Sequence, residues 1–233
     1  MNTDSACPEL LTGNMLKIIA LISMTVDHIG AVLFPELIIL RIAGRLAFPI
    51  FAYSIAEGCR YTQNRAKYFL RMFLLGILCQ IVYYVAEKSL NMCILITFSL
   101  SVIHIYALDY MTKKKTAASF IAFFLLLTGT YYVSAILPGI PGMKNFYIDY
   151  GFFGILTPVI IYIAKTKEQK IFYTLAALCA VSLTNGNLQW YSIAAIPLLM
   201  MYNGKRGKAK IKNLFYIYYP LQLAIIHIIN LIL

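Results

Sequence analysis

Two pairs of residues near the start of the chain have the types and spacing for chemistry in an apolar setting. Asp27 and His28 are adjacent, and an imidazole beside a carboxylate that can orient it is a candidate base. Arg41 and Arg45 stand four apart. On a helix that spacing projects both guanidinium groups from one face, where together they can grip a carboxylate or phosphate. The two cations would also hold His28 neutral. Neighbouring helical positions point about 100° apart, so two arrangements are open: Asp27 orients His28, or Asp27 binds Arg45 while His28 faces a cavity. The plainer alternative for Asp27 is a buried ion pair that only fixes helix register.

Other ionisable residues are secondary candidates. Asp149 and His227 can reach the same cavity, whereas Glu57, in Ala56-Glu57-Gly58, can snorkel or pair with Arg60. His104 and Asp109 read as local pairing, the latter beside Lys113. The chain holds no Walker or Rossmann glycine pattern, no H-E-x-x-H and no G-x-S-x-G. Its five cysteines, Cys7, Cys59, Cys79, Cys93 and Cys179, are scattered, with no metal-binding or disulfide spacing.

The elements that must position these residues follow from composition. Apolar types make up 61% of 233 residues and charged types 12%, with a mean hydropathy of +0.76. A soluble domain has about 45–50% apolar and about 25% charged residues, so this chain is expected to live in a lipid bilayer. Apolar runs near 15–34, 37–58, 68–87, 91–111, 117–137, 149–165, 170–185, 188–203 and 213–233 predict an all-α, polytopic transmembrane helical bundle of about nine spans. Residues 1–233 read as a single integral membrane domain. Asp4, Pro8 and Glu9 precede the first run without a basic residue, and no small-residue cleavage site follows it, so that span is expected to be kept.

The charges give the orientation. Fifteen of the 20 Lys and Arg residues fall in alternate loops: Arg60, Arg65, Lys67 and Arg71; Lys113 to Lys115; Lys165, Lys167 and Lys170; Lys205, Arg206, Lys208, Lys210 and Lys212. The intervening loops carry only Lys88 and Lys144. Positive loops stay in the cytosol, which predicts the N-terminus inside and the C-terminus outside. The net charge of +11 is then topology first, with no nucleic-acid partner implied, and attraction for anionic lipid or a nucleotide-like substrate second. Asp27 and His28 fall roughly 18–20 Å from the inner boundary, and Arg41 and Arg45 roughly 6–12 Å below the outer one, so the four meet in the outer half. Kinks are expected at Pro49, Pro158, Pro197 and Pro220. Tyr131, Tyr132, Tyr147 and Tyr150 suit an outer aromatic belt.

Ordered segments of the chain resemble one family. They are Thr25-Val26-Asp27-His28-Ile29-Gly30, Leu40-Arg41-Ile42-Ala43-Gly44-Arg45 running into Leu46-Ala47-Phe48-Pro49, then Glu57-Gly58, Asp149-Tyr150-Gly151-Phe152, Tyr202-Asn203-Gly204-Lys205-Arg206-Gly207 and Tyr218-Tyr219-Pro220. Together they resemble the TraX family, which is associated with acetylation of conjugative pilin and is similar to polytopic acyltransferases. The resemblance implies a bacterial cytoplasmic membrane enzyme drawing on acetyl-CoA, without a metal. It implies His28 as base or acyl relay, Asp27 as its partner, and Arg41 with Arg45 as anion-binding groups. Gln222 departs from the family pattern, in which a His is expected.

The reading is therefore a membrane acetyltransferase that moves an acetyl group from acetyl-CoA to an amine or hydroxyl acceptor, a peptide or glycan, at the outer half of the bilayer. Lys205, Arg206 and Lys208 are the expected contacts for the nucleotide. The rivals are a proton-coupled carrier of an anionic solute, for which no inverted repeat is found, and a non-enzymatic scaffold for a partner protein.

Overall fold

The structure is a computed structural model that describes residues 10–142, 146–208 and 212–232. Cys7, Lys144 and Lys210 lie outside the described residues, and so does the charged stretch Asp4 to Glu9.

The described chain is all helical. It runs through α1 (Gly13–Val32), α2 (Ile38–Gly44), α3 (Ala47–Tyr61), α4 (Arg65–Glu87), α5 (Ile94–Lys114) and α6 (Ala117–Tyr131), which continues into a π turn and a 3₁₀ turn up to Gly139. Then come α7 (Gly151–Ile163), α8 (Lys167–Asn185), a 3₁₀ helix (Asn187–Ala195) leading into α9 (Ile196–Met200), and α10 (Lys212–Ile232). Five of these rods are long and apolar enough to cross a membrane, at 13–32, 38–61, 65–86, 94–114 and 117–139; Gly151–Ile163 and Ile217–Ile232 are shorter apolar helices. Residues 188–203, expected as one span, form the 3₁₀ helix and α9. A 3₁₀ helix rises about 2.0 Å per residue against about 1.5 Å for an α-helix, so the short segment reaches farther than its residue count suggests.

The second expected span is broken rather than kinked. Pro49 has no N–H, and its ring opposes the carbonyl of residue 45, so the chain turns at Arg45 and Leu46 between α2 and α3. The break lets Arg45 Nε donate back to the carbonyl of Arg41, at 3.2 Å.

Helix α3 is central, packed against α1, α5, α7 and α8. Its buried Phe48, Ile50, Ala52, Tyr53 and Ala56 join Leu16, Ala20, Phe98, Val102, Ile161 and Leu178 in the larger core. Helix α10 closes one flank against α1 and α4. Helix α6 packs on α5 and keeps Phe120, Ile121, Phe124 and Leu125 exposed, as a lipid-facing rod would. Cys59, Cys79 and Cys93 are buried and Cys179 is half-buried, all as free thiols.

Hydrogen bonds sort the connecting segments into two ends. At one end Arg60 donates to the carbonyls of Tyr162 and Ala164, both at 2.7 Å, and Lys170 pairs with Glu57 at 2.7 Å. There Arg65 also pairs with Asp109, which accepts from Tyr162 Oη at 2.9 Å. Gly13 N–H donates to Lys205 O at 2.8 Å, tying the start of α1 to the same end. Among the described residues, members of three basic clusters thus gather with the start of α1, and Asp109, one turn before Lys113, joins them. At the opposite end Met92 N–H donates to Tyr147 O at 2.6 Å, Asp149 N–H to Met92 O at 3.0 Å, and Tyr147 Oη to Asn185 at 2.5 Å.

Three local expectations change. Glu57 pairs with Lys170 rather than Arg60, whose guanidinium is taken by backbone carbonyls. Asp109 takes Arg65 and Tyr162 rather than Lys113, because the ends of α4, α5 and α7 converge on it. Tyr131, Tyr132 and Tyr147 are exposed at the far end, but Tyr150 turns inward and stacks on Phe48, ring centroids 4.0 Å apart.

Candidate functional site

The site grows from the contact of α1 with α2. Ser23 Oγ donates to the carbonyls of Ala43 and Gly44, at 2.6 and 3.1 Å, which draws the two helices together. Gly44 makes the approach possible: a Cβ there would lie 2.3 Å from both Cβ and Oδ1 of Asp27. The carboxylate is then delivered to both arginines. Arg45 Nη2 meets Oδ1 at 2.5 Å and Arg41 Nη1 meets Oδ2 at 3.1 Å, while Arg41 Nη1 also lies 3.2 Å from the Asp27 carbonyl. Arg45 Nη1 donates onward to the buried Gln189, at 3.3 Å.

Both carboxylate oxygens of Asp27 are thus taken by arginine, and no hydrogen bond joins Asp27 to His28 among the described residues. The arrangement with Asp27 on the arginines is the one seen, and the implied Asp27–His28 partnership is replaced by Gln222. Its amide nitrogen lies 2.7 Å from His28 Nδ1. In this orientation the amide would donate to Nδ1, leaving the ring proton on Nε2; with the amide turned, Oε1 would accept from an Nδ1–H. Tyr219, one turn earlier on α10, tilts against the same ring with centroids 6.0 Å apart.

Asp149 reaches the site through a constrained turn. Its carbonyl accepts from Thr97 Oγ1 at 2.8 Å, and the next residue, Tyr150, has a left-handed φ of 61°. A non-glycine residue held there costs of order 1 kcal/mol and is maintained by its surroundings. The stack of Tyr150 on Phe48, itself stacked on Phe98 at 6.1 Å, supplies that support.

These groups line one cavity of about 260 Å³. Asp27, His28, Arg41, Arg45, Asp149 and His227 all face it, brought together from α1, α2, the turn before α7, and α10. His227 meets Tyr83 of α4 edge-on, centroids 6.0 Å apart. Glu57 is not part of this cavity. It lines a separate space of about 520 Å³ at the basic end, together with Arg206; Lys205 and Lys208 do not line that space. Sequence reasoning missed Gln189 and Tyr83, which carry no pattern of their own, and Lys17, Lys67 and Arg71 at the basic end. The last two had a signal: they are four apart on α4, the same spacing as Arg41 and Arg45.

The same ordered residues that converge here are matched by a family profile described as TraX protein, over residues 12–230. The chain belongs to the TraX family. This TraX-family chain is 26% identical over 239 residues to the probable fimbrial assembly protein FimC, serogroup H1, of Dichelobacter nodosus, which covers 91% of the chain and 92% of that protein. It is also 37% identical over 94 residues to an uncharacterized protein of Rickettsia prowazekii (strain Madrid E), over 40% of the chain and 36% of that protein's length. No solved structure matches. Family membership and the long apolar helices identify a bacterial membrane protein of helical build.

Proposed function

We propose that this protein is a membrane-embedded acetyltransferase, with its basic end in the cytosol and the 260 Å³ cavity in the outer half of the bilayer. The observation that carries the reading is the convergence, in that cavity, of His28 with two arginines fixed by one carboxylate. Ionisable groups buried in an apolar bundle are costly and tend to mark function, and these residues have the roles an acyl transfer needs. Acetyl-CoA is the donor and an amine or hydroxyl, of a peptide such as pilin or of a glycan, is the acceptor. The relative named as a fimbrial assembly protein supports an acceptor of the pilin type.

The acceptor nitrogen or oxygen attacks the thioester carbonyl, the carbon–sulfur bond breaks and the new carbon–nitrogen or carbon–oxygen bond forms. The acceptor's proton passes to His28 and from there to the departing thiolate, leaving the acetylated acceptor and coenzyme A. Arg41, with a 30% exposed side chain, retains N–H groups for the developing oxyanion, while Asp27 holds both guanidinium groups in place. To accept the proton on Nε2, the ring needs its own proton on Nδ1. A half-turn of the Gln222 amide, presenting Oε1 to an Nδ1–H, supplies that tautomer.

The test is transfer from radiolabelled acetyl-CoA to a peptide amine or a glycan by the purified protein in detergent. His28→Gln is expected to abolish transfer while leaving the fold intact. A parent protein that transfers no label to either acceptor class, or an equally active variant, would refute the reading.

A further inference from the structure

The space at the basic end has the chemistry of a binding site in its own right. About 520 Å³ in volume, it is lined by Lys17, Lys67, Arg71 and Arg206. Its acidic residue, Glu57, is already paired with Lys170, so its charge is largely neutralised locally and the lining is strongly positive. Helix α4 begins there, and its first two turns carry Arg65, Lys67 and Arg71. Cations at a helix N-terminus oppose the helix dipole, whereas an anion bound there gains from the dipole and the cations together. The loop after α9 is folded over the start of α1, with Asn14 N–H donating to the Arg206 carbonyl at 2.9 Å, which fixes the backbone of Arg206 above this mouth. Tyr53, Tyr61, Tyr68 and Tyr202 also line the space, and aromatic faces are the usual platform for a nucleobase.

A second, smaller cavity of about 190 Å³ adjoins it. Lys17, Ser54, Tyr68 and Arg206 line both, so the two spaces share walls. The smaller cavity's other lining residues are mostly apolar, Met24, Phe51, Met72, Leu75 and Phe98 among them, and they include Tyr219. Tyr219 is the residue whose ring leans on His28, and Met24 lies one helical turn before His28 on α1. From Lys17 to His28 along that helix is about 16 Å.

We propose that the basic vestibule binds the phosphates and base of an acyl-carrying nucleotide thioester, and that the apolar channel takes its long uncharged arm, so that the acyl group arrives at His28 beneath the outer cavity. The inference rests on the acyl-transfer reading and adds to it a donor site built from Lys67, Arg71, Arg206 and the vestibule tyrosines, with Lys17 at the junction. It moves the nucleotide away from Lys205 and Lys208, leaving Arg206 as the shared contact. The tyrosines favour a nucleotide over a phospholipid, whose head would satisfy the same cations but would make no use of four aromatic rings.

The experiment uses the full-length protein in detergent, with coenzyme A and adenosine 3′,5′-bisphosphate as probes of binding and acetyl-CoA as the probe of turnover. The double variant Lys67→Ala, Arg71→Ala should weaken both probes roughly tenfold or more, and raise the KM for acetyl-CoA with little change in kcat. Arg71→Lys should recover part of the affinity. Met72→Trp, which fills the channel, should leave bisphosphate binding intact and abolish turnover, while monodispersity and melting temperature report folding. If the parent transfers acetyl groups and the double variant binds both probes as the parent does, the donor site is elsewhere and the acyl-transfer reading survives. If the parent neither binds coenzyme A nor transfers acetyl groups, both fall. If mass spectrometry finds an anionic phospholipid retained by the parent and lost only in the double variant, with coenzyme A binding unaffected, the vestibule is a lipid site and the proposal is overturned.

Discussion

The side-chain amide of Gln222 lies 2.7 Å from Nδ1 of His28, joining α10 to α1 across 194 positions of sequence. Gln222 is 6% exposed, and its Oε1 has no hydrogen-bond partner among the described residues. The residue is therefore held where it can govern the ring, and its amide can donate or accept according to how it is turned.

Gln222→Leu preserves bulk and removes both hydrogen-bonding options. It is expected to lower kcat by roughly ten- to a hundredfold with little change in melting temperature, since a lost orienting contact acts on the transition state. Gln222→Glu restores an acceptor for Nδ1–H and should recover activity with a shifted pH–rate profile. A Gln222→Leu protein with the parental profile would show that Gln222 only packs.

Asp27→Asn should damage stability and activity together. The carboxylate binds two guanidinium groups at 2.5 and 3.1 Å and is 15% exposed, and leaving such cations without their partner costs about 3–5 kcal/mol. His28→Gln, by contrast, should melt like the parent and lose transfer. Melting curves beside the transfer assay separate the two effects.

Arg45→Lys keeps a charge but not the fork that spans Asp27, the Arg41 carbonyl and Gln189. Expression should hold while turnover falls, because a point charge cannot make those three contacts at once. Equal turnover in parent and variant would reduce Arg45 to a counter-charge.

Gly44→Ala places a methyl group 2.3 Å from Asp27 Oδ1, against a carboxylate that two arginines prevent from moving away. Overpacking of this kind costs about 1–3 kcal/mol, and here it should also open the ion pair. Gly129→Ala is the control, because nothing lies within 4 Å of its added carbon. A melting temperature equal to the control's would show that the α1–α2 contact is looser than drawn.

Orientation is checked by labelling single cysteines in a Cys-free background. Positions 114 and 208 should react only from the cytosol and position 187 only from outside, following the positive loops. Labelling of position 208 from outside would invert the arrangement.

Helical build and the pairing of loops were legible in the sequence, because both depend on local properties: runs of apolar residues long enough to span hydrocarbon, and charges counted loop by loop. The Asp27, His28, Arg41 and Arg45 set was legible for the same reason, since ionisable groups inside apolar runs stand out without any knowledge of their neighbours. What each of them binds was not. Asp27 went to the arginines because Ser23 and Gly44 let α2 approach α1 closely, and His28 went to Gln222 because α10 packs back on α1. Those are contacts between segments that no spacing rule relates. Likewise Lys67 and Arg71 read as two more positive-inside charges until the folding of the loop after α9 over the start of α1 set Arg206 opposite them. Charge and hydropathy are properties of residues, and the sequence carries them outright; a cavity is the space left between helices, so only tertiary packing determines its walls.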